Sequence, residues 1–158
     1  METRPTWDQY WLRIAHDVAS RGTCLRRKVG AVLVTKDNRI LSTGYNGKAS
    51  ELPNCNGSIK DIKLATIYPN ACSGAFSKSG TNLDGCQALH AEQNALLYCS
   101  DVRNIHTCYV TCSSCVSCLK MLLGTGCQRI VFAEEYPHQE ARKMWEAAGR
   151  EWVKLVDF

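Results

Sequence analysis

Segments rich in β-branched residues alternate with segments of helical periodicity along this chain, and this order constrains the fold more than any other feature. K-V-G-A-V-L-V-T is typical of a buried strand, and R-I-L-S-T-G-Y-N, after a K-D-N turn, is typical of its hairpin partner. The same criteria predict strands over residues 28–35, 39–46, 107–112, 129–134 and 152–156 and helices over 6–21, 90–99, 116–123 and 138–148. Strands interleaved with helices predict a sheet covered by helices, an α/β layered domain.

The first helix carries a clear start signal. T-W-D-Q forms a capping box in which Thr6 is the N-cap and Gln9 reaches back to it. Apolar residues then recur at helical spacing and predict one buried stripe, formed by Trp7, Trp11, Ile14, Ala15 and Val18.

The 158 residues suit a single domain, residues 1–158, with one unusual stretch. Residues 47–89 hold five glycines, two prolines and three cysteines and show no regular periodicity. A long loop inside a compact domain is usually functional or disordered. We expect a cysteine-bearing insertion at about 47–89 that a bound group orders.

Composition sets the compartment and the class of partner. Apolar residues make up 45% of the chain and charged residues 22%, and neither a signal peptide nor a membrane-spanning run is recognised. We therefore expect a cytoplasmic protein, or one of the host cytoplasm if it is viral. A formal charge of +4 with one short basic cluster at 26–28 fits an anionic small molecule and disfavours a nucleic-acid partner.

Ten cysteines in a reducing compartment favour metal binding or catalysis over disulfides. Cys115 and Cys118 stand at the start of one predicted helix, and H-A-E places His90 and Glu92 at the start of another. One imidazole, two thiolates and a nearby carboxylate that need not bind metal have the composition of a catalytic zinc site with an open fourth position. Cys112, on the strand side of the same cluster, is predicted to pack in the core.

H-A-E at 90–92, followed by T-C-S-S-C-V-S-C at 111–118, resembles the signature of the zinc-dependent cytidine deaminase superfamily. Residues 23–32, 42–47 and 79–96 are similar to segments of its deoxycytidylate (dCMP) deaminase branch, so the resemblance extends over roughly residues 5–156. It implies a three-layer α/β/α fold with a central mixed five-stranded sheet. It also implies hydrolytic deamination of dCMP to dUMP and ammonia in pyrimidine deoxynucleotide metabolism. His90, Cys115 and Cys118 would hold the zinc, and Glu92 would move protons.

Further expectations follow from the same resemblance. Asn46 is expected at the nucleotide sugar, or else as a plain turn residue, and Tyr45 and Gly47 belong to a loop that holds an effector in regulated relatives. Ala91 and Ser113 are expected at the pyrimidine edge, Tyr136 at the base or phosphate, and Arg26, with Arg27 and Lys48 as alternatives, at the 5′-phosphate. A second, structural zinc would be held by four thiolates, unless these cysteines are unliganded: Cys24, Cys55, Cys72 and Cys86.

The resemblance also implies a homo-oligomer, a hexamer, with dCTP and dTTP as effectors and Mg²⁺ accompanying the effector triphosphate. One departure is Ser114, which stands where the family usually has proline before the first zinc cysteine. Competing readings remain open: a dCTP or dual dCMP/dCTP deaminase, a deaminase of free cytidine or of adenosine in tRNA, or a non-catalytic structural zinc module. Glu92 separates the last reading from the others, because a structural site has no use for it.

Overall fold

A computed structural model describes residues 3–55, 71–78, 81–82, 85–137 and 139–158. The helices are α1 (Trp7–Ala19), α2 (Ala91–Leu97), α3 (Val116–Leu123) and α4 (Glu140–Ala147). The strands are β1 (Gly30–Val34), β2 (Ile40–Tyr45), β3 (Thr107–Cys112), β4 (Arg129–Glu134) and β5 (Glu151–Lys154). None of the helices in the described part of the chain combines the length and apolarity that a membrane crossing needs.

The five strands form one mixed sheet in the order β2-β1-β3-β4-β5. β1 runs antiparallel to β2 and β3, whereas β4 runs parallel to β3 and β5. The parallel pairs need crossover connections, and α3 and α4 supply them. The predicted mixed five-stranded sheet is confirmed.

The sheet is covered on both faces, because its central strands are apolar on both sides. In β1, Val32 and Val34 face α1, while Ala31 and Leu33 face the opposite cluster. The α1 side is closed by Trp11, Leu12 and Ala15, and the other side by α2, α3 and α4, with Trp145 fully buried. This arrangement is the expected α/β/α layering, and among the described residues α1 is the helix that covers the first of the two faces.

Predicted element bounds agree closely with the observed ones. β3, α3 and β4 match residue for residue, and the capping box at Thr6 and Gln9 is formed. β1 begins two residues later than predicted, at Gly30, and a short 3₁₀ turn at Val102–Asn104 was not predicted. Of the insertion predicted at 47–89, residues 56–70, 79–80 and 83–84 lie outside the described residues, as does residue 138 at the predicted start of the last helix.

Three close contacts hold α2 against the sheet. Gly44 of β2 lies so near α2 that an added Cβ would be 2.2 Å from the Ala91 carbonyl oxygen. Ser42 donates a hydrogen bond to the carbonyl of Ala95 at 2.7 Å, and Asn94 donates one to the carbonyl of Tyr45 at 2.7 Å. The start of α2 is therefore fixed against β2, and α3 follows directly from the end of β3.

Candidate metal centre and active site

The three predicted zinc ligands lie at the starts of two neighbouring helices. His90 is the N-cap residue of α2, Cys115 is the N-cap residue of α3, and Cys118 is in the first turn of α3. Gln93 accepts a hydrogen bond from the His90 backbone at 2.8 Å, which fixes the residue at the helix start. The fold thus brings together residues that are 25 and 28 positions apart.

The geometry of this cluster fits zinc. Nδ1 of His90 lies 3.2 Å from Sγ of Cys118 and 3.4 Å from Sγ of Cys115. Tetrahedral zinc, with bonds of about 2.0 Å to nitrogen and about 2.3 Å to sulfur, separates its ligand atoms by about 3.5 Å. Among the described residues, this is the one group of three or more potential ligands whose ligand atoms all lie within 4.8 Å of one another.

The protonation of the cluster also suits a cation. The hydrogen bond from the Cys118 thiol lowers the pKa of Cys115 to about 4, and the His90 ring adds to this effect. The same hydrogen bond, together with burial, raises the pKa of Cys118. These contacts favour the thiolate at Cys115 and the protonated thiol at Cys118, and a bound cation would displace the remaining proton.

Glu92 lies two residues after His90, on the first turn of α2, with 4% of its surface exposed. Burial raises the pKa of its carboxyl group, and a hydrogen bond from the Ser114 hydroxyl acts against this rise. Glu92 is outside the ligand cluster but lines the same cavity as His90 and Cys115. A carboxylate so placed can transfer protons to and from a molecule held in the cavity.

The cavity has a volume of about 530 Å³, a size typical of small-molecule sites. Of the residues predicted to bind substrate or effector, it is lined by Arg26, Asn46, Ser113 and Tyr136. The others, Tyr45, Gly47 and Ala91, are described but are not part of this lining. Burial raises the pKa of the Tyr136 hydroxyl, which keeps it protonated and able to donate.

Asn46 and Arg26 line the cavity, but their side chains already bond to the protein. Asn46 accepts a hydrogen bond from the Val29 backbone at 2.8 Å and donates one to the Arg27 carbonyl. The Arg26 guanidinium donates to backbone carbonyls of three residues in the insertion, Gly74, Thr81 and Asn82. Both residues therefore support the cavity wall, whatever further contact they make with a ligand.

Two further residues belong to the site: Arg27, one of the alternatives expected at the 5′-phosphate, and Ser114, for which no role was predicted. The Arg27 guanidinium lines the cavity and donates to Sγ of Cys112 at 2.9 Å and to the Glu134 carboxylate at 2.8 Å. Ser114 lies beneath the cavity and donates to Glu92. A serine before a zinc cysteine carries no positional signal in the sequence, so only the missing proline singled out Ser114. Cys112 is buried, as predicted, and burial raises its pKa to about 11.

The second set of cysteines lies around the insertion. Cys55 and Cys72 share a small apolar cluster and hydrogen-bond through their thiols. Cys24 and Cys86 both line the cavity, and Cys86 has a raised pKa, chiefly from burial and then from Cys24 and Cys72. The four thiols are neighbours, but in the described residues no three of them meet the 4.8 Å spacing of the first cluster. A second zinc there stays a prediction.

A mixed sheet between helical layers, with a His-Cys-Cys cluster and a buried glutamate at two helix starts, defines a zinc-dependent deaminase. The chain belongs to the family described as the cytidine and deoxycytidylate deaminase zinc-binding region, whose model matches residues 5–134.

Within this family, the chain is similar to individual deoxycytidylate deaminases. The chain is 40% identical over 134 residues to a deoxycytidylate deaminase of Mycobacterium phage D29, which covers 84% of this chain and 98% of the phage protein. It is 33% identical over 149 residues to the deoxycytidylate deaminase of Saccharomyces cerevisiae, covering 92% of this chain and 44% of the yeast protein. The crystal structure of dCMP deaminase from cyanophage S-TIM5 in complex with dCMP and dUMP superposes with a TM-score of 0.70. That likeness covers 98% of this chain and 100% of the other at 26% identity.

Proposed function

We propose that this chain catalyses the hydrolytic deamination of dCMP to dUMP and ammonia, as a hydrolase acting on the C–N bond of a cyclic amidine. The observation that carries the proposal is the placement of Glu92, which is buried beside the His90, Cys115 and Cys118 cluster at the base of a cavity of nucleotide size. The phage relative with 40% identity is a deoxycytidylate deaminase, which supports the choice of substrate. The product would enter pyrimidine deoxynucleotide synthesis.

The chemistry divides between the ligand cluster and Glu92. His90, Cys115 and Cys118 would hold a zinc ion, which when bound would supply an activated water as the nucleophile at neutral pH. Glu92 is placed to accept one proton from the attacking water and pass it to N3 of the cytosine ring, and then to carry the second proton of that water to the amine leaving from C4. Atoms balance, since one water is consumed and one ammonia released for each dCMP converted to dUMP.

Contacts to the base and sugar are proposed from the cavity lining. The Ser113 backbone is fixed by a 2.7 Å hydrogen bond to Glu134, and its hydroxyl accepts a hydrogen bond from the Tyr136 backbone. This holds Tyr136 over the cavity, where its ring can pack on the pyrimidine. Asn46 is the candidate for the sugar, and the Ala91 backbone, next to the cluster, for the edge of the base.

Arg27 is the strongest candidate for the 5′-phosphate. Arg26 already donates to three carbonyls, whereas Arg27 meets one thiol and one exposed carboxylate at the cavity wall. The pair with Glu134 is largely exposed, so a phosphate could exchange with it at small cost. Arg27→Gln is expected to raise KM for dCMP more than KM for deoxycytidine, which lacks the phosphate.

Turnover by Glu92→Gln tests the mechanism. This change keeps the shape of the side chain but removes its basicity, so zinc content should be unchanged and turnover nearly abolished. The ultraviolet absorbance change on deamination measures the rate, with dCMP, dCTP, cytidine and deoxycytidine assayed in parallel. Wild-type activity in Glu92→Gln would refute the mechanism, and preference for dCTP or cytidine would replace the proposed substrate.

Regulation, assembly and the second metal are also proposals. The Tyr45–Gly47 loop is the candidate site for the effectors dCTP and dTTP, which would bind together with Mg²⁺. The expected oligomeric state is a hexamer, and light scattering tests it. Zinc analysis tests the structural site, which should lose one of two zinc ions per chain in a Cys72→Ser, Cys86→Ser double variant. All ten cysteines are free, which fits a reducing compartment and supports a cytoplasmic location.

A further inference from the structure

The turn between β3 and α3 contains a buried hydroxyl that contacts the proposed proton carrier. Ser114 is 1% exposed, and its Oγ donates a hydrogen bond to Oε1 of Glu92, which is 4% exposed. The two residues are 22 positions apart and stand on different elements. The hydrogen bond therefore links the segment that carries Cys115 to the helix that carries His90.

We infer that Ser114 is a positioning residue for catalysis: its hydroxyl fixes the Glu92 carboxylate in the orientation that proton transfer requires. This inference rests on the proposed deaminase function. Of these two described residues, Glu92 lines the cavity and Ser114 does not, so Ser114 acts through Glu92 and not by touching substrate.

The physical reason is the freedom of a glutamate side chain. Glu92 has three side-chain torsions, and the last of them, which turns the carboxylate, is broad and weakly restrained. A hydrogen bond to an ionised group is short and directional, so a donor held rigidly in the protein restrains that torsion. The Ser114 hydroxyl is so held, because the backbone of its neighbour Ser113 is bonded to the last residue of β4 and the Ser113 hydroxyl is bonded to the segment after that strand.

The hydrogen bond from Ser114 determines which acceptor positions of the Glu92 carboxylate are left for proton transfer. With Oε1 engaged by Ser114, the carboxylate presents its remaining acceptor positions to the cavity in one orientation. Loss of the hydroxyl leaves Glu92 buried and adjacent to the cluster, but free to rotate. Substrate binding, which depends on the rest of the lining, should then be retained while turnover falls.

Ser114→Ala is the central variant and Ser114→Thr the rescue, because threonine restores the hydroxyl. Thr107→Val is the matched control: Thr107 is also buried, and its hydroxyl contacts the His106 ring at the start of β3, at the opposite end of that strand from Ser114. We expect Ser114→Ala to lower kcat by about 10- to 100-fold with KM for dCMP and zinc content nearly unchanged. Ser114→Thr should recover most of kcat, and Thr107→Val should keep it.

A second measurement needs no turnover. In the zinc-loaded protein, Ser114→Ala should lower the urea midpoint of unfolding, and it should do so much less in a Glu92→Ala background, where the acceptor is absent. Equal effects in both backgrounds would overturn the inference, as would an unchanged kcat in Ser114→Ala or an equal loss of kcat in Thr107→Val. If the wild type fails to deaminate dCMP, the proposed function fails, while the unfolding comparison still decides whether Ser114 restrains Glu92.

Discussion

Gly44 of β2 lets α2 pack against the sheet, and its replacement by alanine should displace the helix that carries His90 and Glu92. The added Cβ would lie 2.2 Å from the Ala91 carbonyl oxygen and 2.3 Å from the Ala95 nitrogen. Both are backbone atoms, so no side-chain rotation relieves the clash. Reaching ordinary van der Waals separation requires α2 to move by about 1 Å.

The displacement has two measurable consequences. Overpacking of this kind costs about 1–3 kcal/mol in the free energy of unfolding. A shift of about 1 Å in catalytic groups can reduce the rate by about 100-fold. Steady-state deamination of dCMP, zinc analysis and urea unfolding of Gly44→Ala measure the rate, the metal site and the stability separately.

Gly30→Ala is the matched control, because it produces the same clash on the opposite face of the sheet. Its added Cβ would lie 2.1 Å from the Ala15 carbonyl oxygen, on α1, which carries none of the proposed site residues. We expect a similar loss of stability with little change in kcat. Wild-type kcat in folded Gly44→Ala, or an equal loss of kcat in Gly30→Ala, would refute the argument that α2 packing sets the site geometry.

Three further predictions concern charge and metal. Burial acts to raise the pKa of Asp8, but hydrogen bonds from Arg129 and Tyr109 hold it below its ordinary value of 3.8. The stability that this contributes is complete above the pKa of the unfolded chain and is lost as the pH falls through the lower pKa of the folded chain. Asp8→Asn should therefore make the urea midpoint of unfolding depend less on pH in the acid range. Arg150 donates to three backbone carbonyls around the end of α3, and Arg150→Ala should cost about 2–3 kcal/mol in urea unfolding, with Arg150→Lys restoring only part. Cys115→Ser should release the catalytic zinc and abolish deamination; full zinc content by metal analysis would contradict its role as a ligand.

Much of the fold follows from local sequence. β3, α3 and β4 match their predicted bounds because apolar runs with β-branched residues and a final glycine mark them without reference to the rest of the chain. The start of β1 does not, because Val29 continues the apolar pattern of the strand and no turn residue separates it from Gly30. There the backbone of Val29 is bonded to Asn46 instead.

The residues of the candidate metal cluster could also be named from the sequence, since His90, Cys115 and Cys118 are rare donor types in a recognisable order. Their convergence depends on the packing of α2 and α3 beside one sheet edge. The roles of the charged and polar residues around this cluster were harder to predict from the sequence. Arg26, expected at a phosphate, also bonds to insertion carbonyls, and Arg27 lines the cavity.

The sequence by itself determined the elements, the donor atoms and the glutamate beside them, because these depend on residue type and short spacing. Tertiary structure decided what those atoms meet: the Ser114 hydroxyl on Glu92, the Arg27 contacts with Cys112 and Glu134, and the approach of α2 to Gly44. Such contacts join residues far apart in the chain, and their geometry is set by how helices pack on a sheet. The sequence marked position 114 because a serine stands there in place of a proline, and the folded chain shows that this serine bonds to Glu92.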